Sequence, residues 1–475
     1  MNEHASEHRF PLYEELAHIV GNKYVTEKEF DRYAYTRTPS WIQGKVPGIV
    51  VRPGNTQQVS EIMKLANRTK NPVIPRGGGA SLGGFPVSDC TEKSILIDLT
   101  RMNKILFVDE KNMVVGAECG ITLNDLSTEV EKKGLHIHTV DIPQYIDTLG
   151  GVLSGFNGGG CPSDYATTGE LFHFLLGLEV VLPRGEILVT GSGPGTNIRQ
   201  SHVVDRTPGS PDITGIFVGD AGVFGIKTKA YLKIYPRPER FVYGAFGFES
   251  FEAMTSVLLF LMTTGPLNYT RLVGIKPAWR EAWALFYVIN GSKEEVEFKE
   301  HKLRQICLSG GGEELVDELS KKVISSFSAR QLGKSYASRG KFLYFEHLLR
   351  KTDAVDYFIR QKMFIDQGLK EAGVEDLITD RVRYLVPKER HMIMIGDLLF
   401  WDVTTLSPNQ ITILEKVSHD EARYALENGA FLEQHQGAES KISASHWSEA
   451  YSAFMKDLKE TMDPNHILNP GLWGL

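Results

Sequence analysis

Residues 72–86 read PVIPRGGGASLGGFP, where a short apolar segment runs into two clusters of glycine. Glycine loses more conformational freedom on folding than any other residue, so such a dense run costs stability. The run is therefore either a plain chain reversal or a loop whose bare backbone approaches a ligand. Because successive backbone N–H groups in such a loop form a concave anion site, a phosphate is the ligand to consider.

Two common phosphate-binding loops do not fit this run. A Walker loop needs lysine and a hydroxyl residue directly after its last glycine, whereas Gly84 and Phe85 follow Gly83. A dinucleotide fingerprint needs G-x-G-x-x-G before a helix, whereas Leu82 holds the last position and Pro86 leads toward a predicted strand. A strand-to-strand anion loop remains, and on this run alone a ligand-free glycine turn is equally consistent.

The segments around the run alternate between strands and helices, as apolar periodicity indicates. Strands are predicted over 49–52, 72–75, 94–99, 113–118 and 226–235, and a hairpin over 175–190. Helices are predicted over 56–70 and 123–133.

Beyond residue 240 the composition shifts toward charged helices with apolar stripes. Helices are predicted over 251–265, 293–304, 313–330, 353–371 and 409–428, with a strand beginning at 392–395. This half is predicted to be a second α+β domain. The two prolines of residues 462–475 argue against a final helix.

The composition restricts the class of protein. The formal net charge is −7 without a block of Lys or Arg, which argues against nucleic acid as the main partner. Cys90, Cys119, Cys161 and Cys307 contain no C-x-x-C pair, so no zinc or iron–sulfur ligand set and no disulfide framework is expected. The polar N-terminus and the lack of an apolar run of about 20 residues predict a cytoplasmic protein that is not integral to a membrane. Peripheral attachment through a partner stays open, as does an oligomer.

A second glycine-rich segment, TLGGVLSGFNGGGCPSDYATTGE at 148–170, favours a ligand because two such segments are too many for turns. It precedes GLEVVLPRGE at 177–186, PDITGIFVGDAGVFGIKTKAYLKIYP at 211–236 and DPNHILNPG at 463–471. Together with PRGGGAS at 75–81, these segments in this order resemble the FAD-binding domain of the vanillyl-alcohol oxidase / p-cresol methylhydroxylase superfamily. The segment between them is matched only weakly.

The resemblance implies an α+β fold in which a two-lobed FAD-binding domain of the p-cresol methylhydroxylase (PCMH) type covers 1–240. A cap domain for substrate would cover 241–450, and a C-terminal segment, 451–475, would return to the first domain. FAD would lie between the two lobes. Many members bind FAD through a histidine near the first loop, but this loop has none, so non-covalent FAD is expected. A covalent link from the cap stays open.

The resemblance also assigns cofactor contacts residue by residue. The residues wrapping the pyrophosphate would be Pro75, Arg76, Gly77, Gly78, Gly79, Ala80, Ser81 and Gly83. The residues on the flavin side would be Thr148, Gly150, Gly151, Ser154, Tyr165, Gly169 and, from the C-terminus, Asn469. The adenine and ribose end would be held by the backbone of Gly222, Gly225 and Ile226. Structural roles stay open for three of these residues. Thr148 and Ser154 could bond backbone groups, and Tyr165 could be a core residue.

The second half departs from two motifs of the D-lactate/glycolate branch of this superfamily. H-x-G-D-G-N-x-H aligns with MIGDLLFW at 394–401, which keeps Gly-Asp and loses both metal-ligand histidines. G-E-H-G-I-G aligns with EQHQGA at 433–438, which keeps His435 and has Gln434 in place of the glutamate. A divalent metal site of the family type is therefore not expected, although Glu433 leaves a rearranged site open.

Flavin-dependent oxidation of an alcohol needs a base for the hydroxyl proton, and a carboxylate substrate needs a cation. His435 is the first choice for the base, with a surface or packing role equally open. His391 is a weaker second choice, with a structural role as the alternative. Arg381 and Arg383 alternate on a predicted strand, so one is expected to face the site and the other solvent. Tyr384 could donate a hydrogen bond to a phenolate or carboxylate.

Three hypotheses for the function remain. The first is an FAD dehydrogenase that transfers a hydride from the CH–OH group of a 2-hydroxy acid to flavin N5, supported by the domain layout and His435. The second is an oxidase or dehydrogenase of a phenolic alcohol or alkylphenol, supported by Phe400 and Trp401 in place of polar ligands. The third is a non-catalytic FAD subunit that transfers electrons. Without cluster cysteines, a dehydrogenase would need an iron–sulfur protein, a cytochrome or a quinone as acceptor.

Overall fold

A computed structural model describes residues 10–38, 44–81, 90–137, 145–155, 171–192, 203, 205–207, 211–263, 271–276, 282–316, 341–388, 390–401, 407–432 and 439–475. The helices within these ranges are α1 (Tyr13–Val20), α2 (Glu29–Ala34), α3 (Thr56–Thr69), α4 (Leu123–Glu131), α5 (Leu149–Ser154), α6 (Phe251–Thr263), α7 (Lys293–Ser309), α8 (Lys351–Glu371), α9 (Pro408–Glu427), α10 (Glu439–Ser445) and α11 (Glu449–Met462).

The strands within the same ranges are β1 (Val25–Thr26), β2 (Ile49–Val51), β3 (Val73–Arg76), β4 (Ile95–Asp98), β5 (Ile105–Asp109), β6 (Val114–Glu118), β7 (Leu135–His136), β8 (Leu175–Val181), β9 (Ile187–Val189), β10 (Ile226–Lys233), β11 (Tyr235–Pro236), β12 (Arg240–Phe248), β13 (Arg271–Lys276), β14 (Trp283–Gly291), β15 (Glu313–Glu314), β16 (Lys341–Arg350), β17 (Asp380–Lys388), β18 (Met392–Trp401) and β19 (Phe431–Leu432).

A parallel crossover forms the first lobe. β2, β4 and β3 run parallel within a sheet of order β1-β2-β4-β3, and α3 connects β2 to β3. α3 begins where the side chain of Asn55 accepts a hydrogen bond from the N–H of Gln58, and its stripe from Val59 to Ala66 is buried. β3 ends at Arg76, so the crossover brings the glycine run to the carboxyl edge of the sheet, where α/β units bind ligands.

An antiparallel sheet of order β5-β6-β10-β8-β9 forms the second lobe. β8 and β9 pair with Val181 opposite Ile187, which confirms the predicted hairpin over 175–190. α3 packs on β8 and α5 packs on β10. The hydroxyl of Thr56 at the start of α3 also donates to Glu179 on β8 at 2.6 Å, so the two lobes are held together across this boundary.

The second half is built on an antiparallel sheet of order β15-β12-β14-β13-β17-β18-β16-β19. Odd-numbered residues of β16, β17 and β18 pack under α6, α8 and α9, and we call this side the helix face. Even-numbered residues of the same strands point to the opposite side, the inner face. Its buried cluster consists of Ala245, Val273, Ala284, Phe286, Leu315, Phe342, Tyr344, Val382, Tyr384, Val386, Met394, Leu398 and Phe400.

One predicted helix is wrong where the structure describes it. Residues 313–330 were expected to be helical, but Glu313 and Glu314 form β15 and pair with Gly247 and Phe246 of β12. α7 ends at Ser309, and Gly311 with φ 81° turns the chain back against β12. Residues 317–330 lie outside the described ranges. The helices predicted to begin at 251, 293, 353 and 409 are confirmed to within two residues at their starts.

The C-terminal residues contact the first lobe. Leu468 forms a parallel bridge with Val73, and the N–H of Asn469 donates to the carbonyl of Val73 at 3.0 Å. After α11 the chain runs through turns to a short 3-10 segment, Leu472–Gly474, so the expectation of no final α-helix is confirmed. Within the described ranges, every helix is too short or too polar to cross a bilayer.

Candidate active site

Four distant stretches of sequence meet in what we call the glycine cradle: Pro75–Gly79, Ile146–Thr148, Gly222 and Asn469. A side chain at Gly77 would overlap the hydroxyl of Thr148, and one at Gly78 would overlap the carbonyl of Ile146. A Cβ at Gly222 would lie 3.1 Å from Pro75 and 3.2 Å from Asn469 Nδ2. Glycine at these positions therefore allows backbone segments to approach one another more closely than side chains permit.

A buried ion pair between Asp220 and Lys227 shapes one wall of the glycine cradle. The carboxylate of Asp220 accepts hydrogen bonds from the N–H groups of Gly222 at 2.9 Å and Phe224 at 3.3 Å, and from Lys227 Nζ at 2.5 Å. Burial raises the pKa of Asp220 while Lys227 opposes that rise. The turn that carries Gly222, which has φ 74°, is thereby folded around a charged centre.

A buried acceptor without a donor and a nearby cation make the glycine cradle suited to a bound dinucleotide. Asn469 Nδ2 donates to the carbonyl of Ala221 at 2.7 Å, whereas Asn469 Oδ1 is buried without a donor in the part of the chain that the structure describes. A buried acceptor left unpaired costs about 1–3 kcal/mol, so a ligand donor would be stabilising there. Arg76 adds a cation, and burial lowers its pKa. An anionic ligand with hydroxyl or amide donors, as FAD has, meets both needs.

The remaining predicted cofactor residues lie around the glycine cradle or outside the described ranges. The N–H of Gly151 donates to Thr148 Oγ1 at 3.3 Å, and the carbonyl of Ser154 accepts from Ala221. Packing positions are Gly150 against Cys119, Gly225 against Val180, and the buried Ile226. Ala80 and Ser81 are half-buried at the end of the described loop. The residues outside the described ranges are Gly83, Tyr165 and Gly169.

A second polar group of residues lies on the inner face of the large sheet. The hydroxyl of Tyr384 donates to the carboxylate of Glu346, and both side chains are buried. Glu346, Gly396 and Tyr384 stand in one row across β16, β18 and β17. A Cβ at Gly396 would overlap the Tyr384 ring, so this glycine lets the ring cross a whole strand to reach Glu346.

The electrostatics of the inner face favour a proton-accepting carboxyl. Burial raises the pKa of Glu346, while the Tyr384 hydrogen bond and the charge of Lys388 oppose that rise. Lys388 is itself buried on the same face of β17. We call Tyr384, Glu346 and Lys388 the inner-face triad. A carboxyl whose pKa is moved toward neutrality is suited to general base chemistry.

The expectation for the two arginines is wrong. Arg381 and Arg383 do not face opposite sides, because residues two apart on a strand share a face. Both bind Asp397 on the helix face: Arg381 Nε at 2.7 Å, and Arg383 Nε at 2.9 Å. Arg381 also bonds Asp366 of α8, and Arg383 bonds the carbonyl of Phe358. Burial lowers the pKa of Arg383 to about 10, and the neighbouring positive charge of Arg381 acts in the same direction. The pair joins the sheet to α8.

The structure describes one of the two histidines that were predicted as bases. His391 is exposed in the turn between β17 and β18, where its carbonyl accepts from the N–H of Lys351. His435 lies outside the described ranges, so its role as base stays a prediction. Among the residues that the structure describes, no group of three His, Cys, Asp or Glu side chains could hold a metal ion.

Two models of known protein families match parts of the chain. A family model described as an FAD binding domain matches residues 47–191, and one described as the C-terminal domain of FAD linked oxidases matches residues 436–472. The chain therefore contains an FAD binding domain and a C-terminal segment similar to that of FAD linked oxidases. Its cofactor is FAD, and its α+β fold is that of the vanillyl-alcohol oxidase / PCMH type. The first match contains the Pro75–Gly79 stretch, and the second contains Asn469.

Individual relatives of this chain are distant. It is 31% identical over 228 residues to glycolate oxidase subunit GlcD of Bacillus subtilis (strain 168), covering 48% of this chain and 45% of that protein. It is 32% identical over 225 residues to D-lactate dehydrogenase of Anaerostipes hadrus, covering 46% and 43%. The chain thus spans less than half the length of these curated relatives. The solved structure of p-cresol methylhydroxylase with substrate bound superimposes with TM-score 0.83 at 17% identity, covering 100% of this chain and 98% of that one.

Sequence reasoning missed several polar residues of the two candidate sites. Glu346 carried a signal, since it is an acidic residue inside the apolar run FLYFEHLL at 342–349. Lys388 carried a weaker one, at the end of the strand that holds Tyr384. Tyr35 and Asp98, which lie beside Arg76, carried none, because their proximity depends on strand pairing far along the chain.

Proposed function

We propose that this FAD-linked oxidase oxidises the CH–OH group of a 2-hydroxy acid. The observation that carries the proposal is the inner-face triad, a buried carboxyl bonded to a phenol with a buried cation on the same sheet face. When bound, FAD supplies a hydride acceptor at its N5 atom. The curated relatives with a related name, a glycolate oxidase subunit and a D-lactate dehydrogenase, support the substrate class.

The inner-face triad provides the two functions that such a substrate needs. Glu346 takes the hydroxyl proton, either directly or through the Tyr384 phenol that donates to it. Lys388, buried on the inner face, is the cation that we assign to the substrate carboxylate. Arg381 and Arg383 instead bind Asp397 on the helix face. Burial strengthens both interactions because little water competes for the charges.

The proposed reaction also needs an electron acceptor that reoxidises the flavin. We infer that electrons leave FAD to a protein partner, an iron–sulfur protein or a cytochrome, or to a quinone. The name of the Bacillus relative, a subunit, supports an assembly. The expected result is slow turnover with oxygen and fast turnover with a dye acceptor, measured by oxygen electrode and by dye bleaching. Rapid oxygen consumption at the dye rate would contradict a dedicated acceptor.

We further propose that FAD is held without a covalent bond. The described glycine cradle binds through backbone groups, Arg76 and Asn469, none of which forms a flavin linkage. Precipitation of the purified protein with acid is expected to leave all flavin absorbance in the supernatant. Flavin retained by the washed precipitate would contradict this and would point to a covalent link elsewhere in the chain.

A second candidate function rests on the aromatic rings of the inner face. The Phe342 ring centroid lies 5.4 Å from that of Phe400 and 6.4 Å from that of Tyr344. Such a cluster can bind an aromatic substrate by offset or edge contacts. Trp401 was expected to make the same pocket apolar as Phe400 does, but it packs on the helix face. A phenolic alcohol or alkylphenol is therefore the alternative substrate class.

The test of the proposed function is the rate at which substrate reduces bound flavin. In stopped-flow absorbance without oxygen, Glu346→Gln is expected to slow flavin reduction about 100-fold or more, and Tyr384→Phe about 10- to 100-fold. Lys388→Met is expected to raise the substrate concentration needed for half-saturation more than it lowers the limiting rate. Glu252→Gln, at an exposed site on α6, serves as the control and should keep the parent rate. Parent rates in Glu346→Gln and Tyr384→Phe would contradict the assignment.

A further inference from the structure

The carboxylate of Asp98 is fully engaged beside the glycine cradle. Asp98 ends β4 directly opposite Arg76, which ends β3. Its Oδ1 accepts from the N–H of Thr100 at 2.9 Å and from the Thr100 hydroxyl at 2.6 Å. Its Oδ2 accepts from the hydroxyl of Tyr35 at 2.7 Å and from Arg52 Nε at 3.1 Å. Asp98 is therefore held by partners other than its strand neighbour Arg76.

The guanidinium of Arg76 lies between Tyr35 and the glycine run. Its central carbon is 5.0 Å from the centroid of the Tyr35 ring. A Cβ at Gly79 would overlap the same guanidinium, so the arginine side chain folds back over the loop. No carboxylate of the described ranges forms an ion pair with Arg76. Since Arg52 balances Asp98, Arg76 leaves one surplus positive charge over the loop.

We propose that Tyr35 is a positioning residue for the diphosphate of FAD, and that it acts through Arg76. Its ring supports the guanidinium over Gly79 by a cation–π contact. Its hydroxyl occupies Asp98, which leaves the guanidinium free to pair with an anionic diphosphate oxygen. The match to the FAD binding domain begins at residue 47, so Tyr35 adds to the cofactor site from the preceding arm of 10–38.

The surroundings of Tyr35 fit this role. The ring packs against the buried cluster of Val50, Ile74 and Leu96, which fixes its position at the sheet edge. Burial, together with Asp98, raises the pKa of Tyr35, so the phenol stays protonated and donates. Burial disfavours the unpaired charge of Arg76, and a bound diphosphate would remove that cost.

Cofactor affinity of the full-length apoprotein tests the proposal independently of any substrate. The protein is made in a riboflavin-starved host, and FAD and ADP are titrated separately, with flavin fluorescence and calorimetry as readouts. Tyr35→Ala and Arg76→Met are each expected to weaken FAD and ADP binding about 10- to 100-fold, as for loss of a charge-assisted hydrogen bond. Tyr33→Ala, at an exposed site on α2, is the matched control and should bind as the parent does.

A double-mutant cycle separates positioning from a general effect on folding. If Tyr35 acts through Arg76, the Tyr35→Ala/Arg76→Met protein should bind FAD within about twofold of Arg76→Met alone. A further loss as large as that caused by Tyr35→Ala in the parent would overturn the proposal. So would parent-like affinity of Tyr35→Ala.

The conservative variant covers the case in which Tyr35→Ala does not fold. Tyr35→Phe keeps the ring and loses the hydrogen bond to Asp98. It is expected to weaken FAD binding in the parent and to have no effect in the Arg76→Met background. Parent-like affinity of Tyr35→Phe, or equal losses in both backgrounds, would then overturn the proposal.

Discussion

At the residue scale, one buried carboxylate neutralises two arginines of the large sheet. Asp397 is fully buried and accepts from Arg381 and Arg383 on the neighbouring strand. Removing it would leave two partly buried guanidinium groups without their shared counter-ion, which is strongly destabilising. We expect Asp397→Ala to lower the free energy of unfolding by about 3–5 kcal/mol, measured by urea denaturation.

Asp356→Ala is the matched control for Asp397→Ala. Asp356 pairs with Arg360 at 2.8 Å on the exposed side of α8, where an ion pair contributes at most about 1 kcal/mol. Similar losses for the two variants would show that Asp397 is not a buried charge centre.

The two arginines also show a limit of sequence reasoning. Strand periodicity puts Arg381 and Arg383 on one face, but their shared partner lies on another strand.

The buried carboxyl of Glu346 makes stability depend on pH. Burial raises its pKa in the folded protein, so ionisation costs stability as the pH rises from the unfolded value of about 4.3 through the folded value. Glu346→Gln cannot ionise. It is expected to match the parent in free energy of unfolding near pH 4 and to exceed it at pH 8. Urea denaturation across this range measures the difference.

The Glu252→Gln control sets the baseline for that pH experiment. Glu252 is exposed on α6, so its variant should follow the parent curve in parallel at every pH. A Glu346→Gln curve that also runs parallel to the parent would contradict the raised pKa. A gain in stability at pH 8 with a loss of flavin reduction would show that the carboxyl is kept for chemistry at a structural cost.

At the element scale, α11 joins two walls of the glycine cradle through one lysine. Lys459 Nζ donates to the carbonyl of Val223 at 3.1 Å, to the carbonyl of Leu468 at 2.8 Å and to Asp463 at 2.8 Å. Lys459→Met would leave the buried carboxylate of Asp463 without its counter-ion. We expect a loss of about 3–5 kcal/mol in the free energy of unfolding and faster release of FAD. Lys456→Met on the exposed side of α11 should change neither.

Elements were predictable from sequence where local pattern decides them. α3 and the hairpin of β8 and β9 follow from apolar periodicity and from a Pro-Arg-Gly turn, and both are confirmed. β15 was missed because two residues pair with a strand more than sixty positions earlier. The glycine cradle was predictable as a set of segments, but the row of Glu346, Gly396 and Tyr384 depends on strand order, which no local pattern encodes.

At the scale of the whole molecule, we propose the boundaries 1–240, 241–450 and 451–475 for the three parts. Strand membership supports the first boundary, since β11 ends at Pro236 and β12 opens the eight-stranded sheet at Arg240. The contact of Leu468 with Val73 supports the return of the last part. We therefore assign the cofactor to the first and last parts, and the substrate to the inner face of the middle part.

The most direct test of this account is the absorbance of bound flavin near 450 nm during anaerobic titration of the purified protein. The panel holds D- and L-2-hydroxy acids and 4-alkylphenols, and dithionite sets the fully reduced end point. We predict that a 2-hydroxy acid bleaches the flavin band of the parent and that Glu346→Gln keeps the band under the same conditions. Bleaching by phenols alone would move the substrate to the aromatic class. A flavin band that no compound in the panel bleaches would contradict the proposed oxidation and favour a non-catalytic electron-transfer subunit.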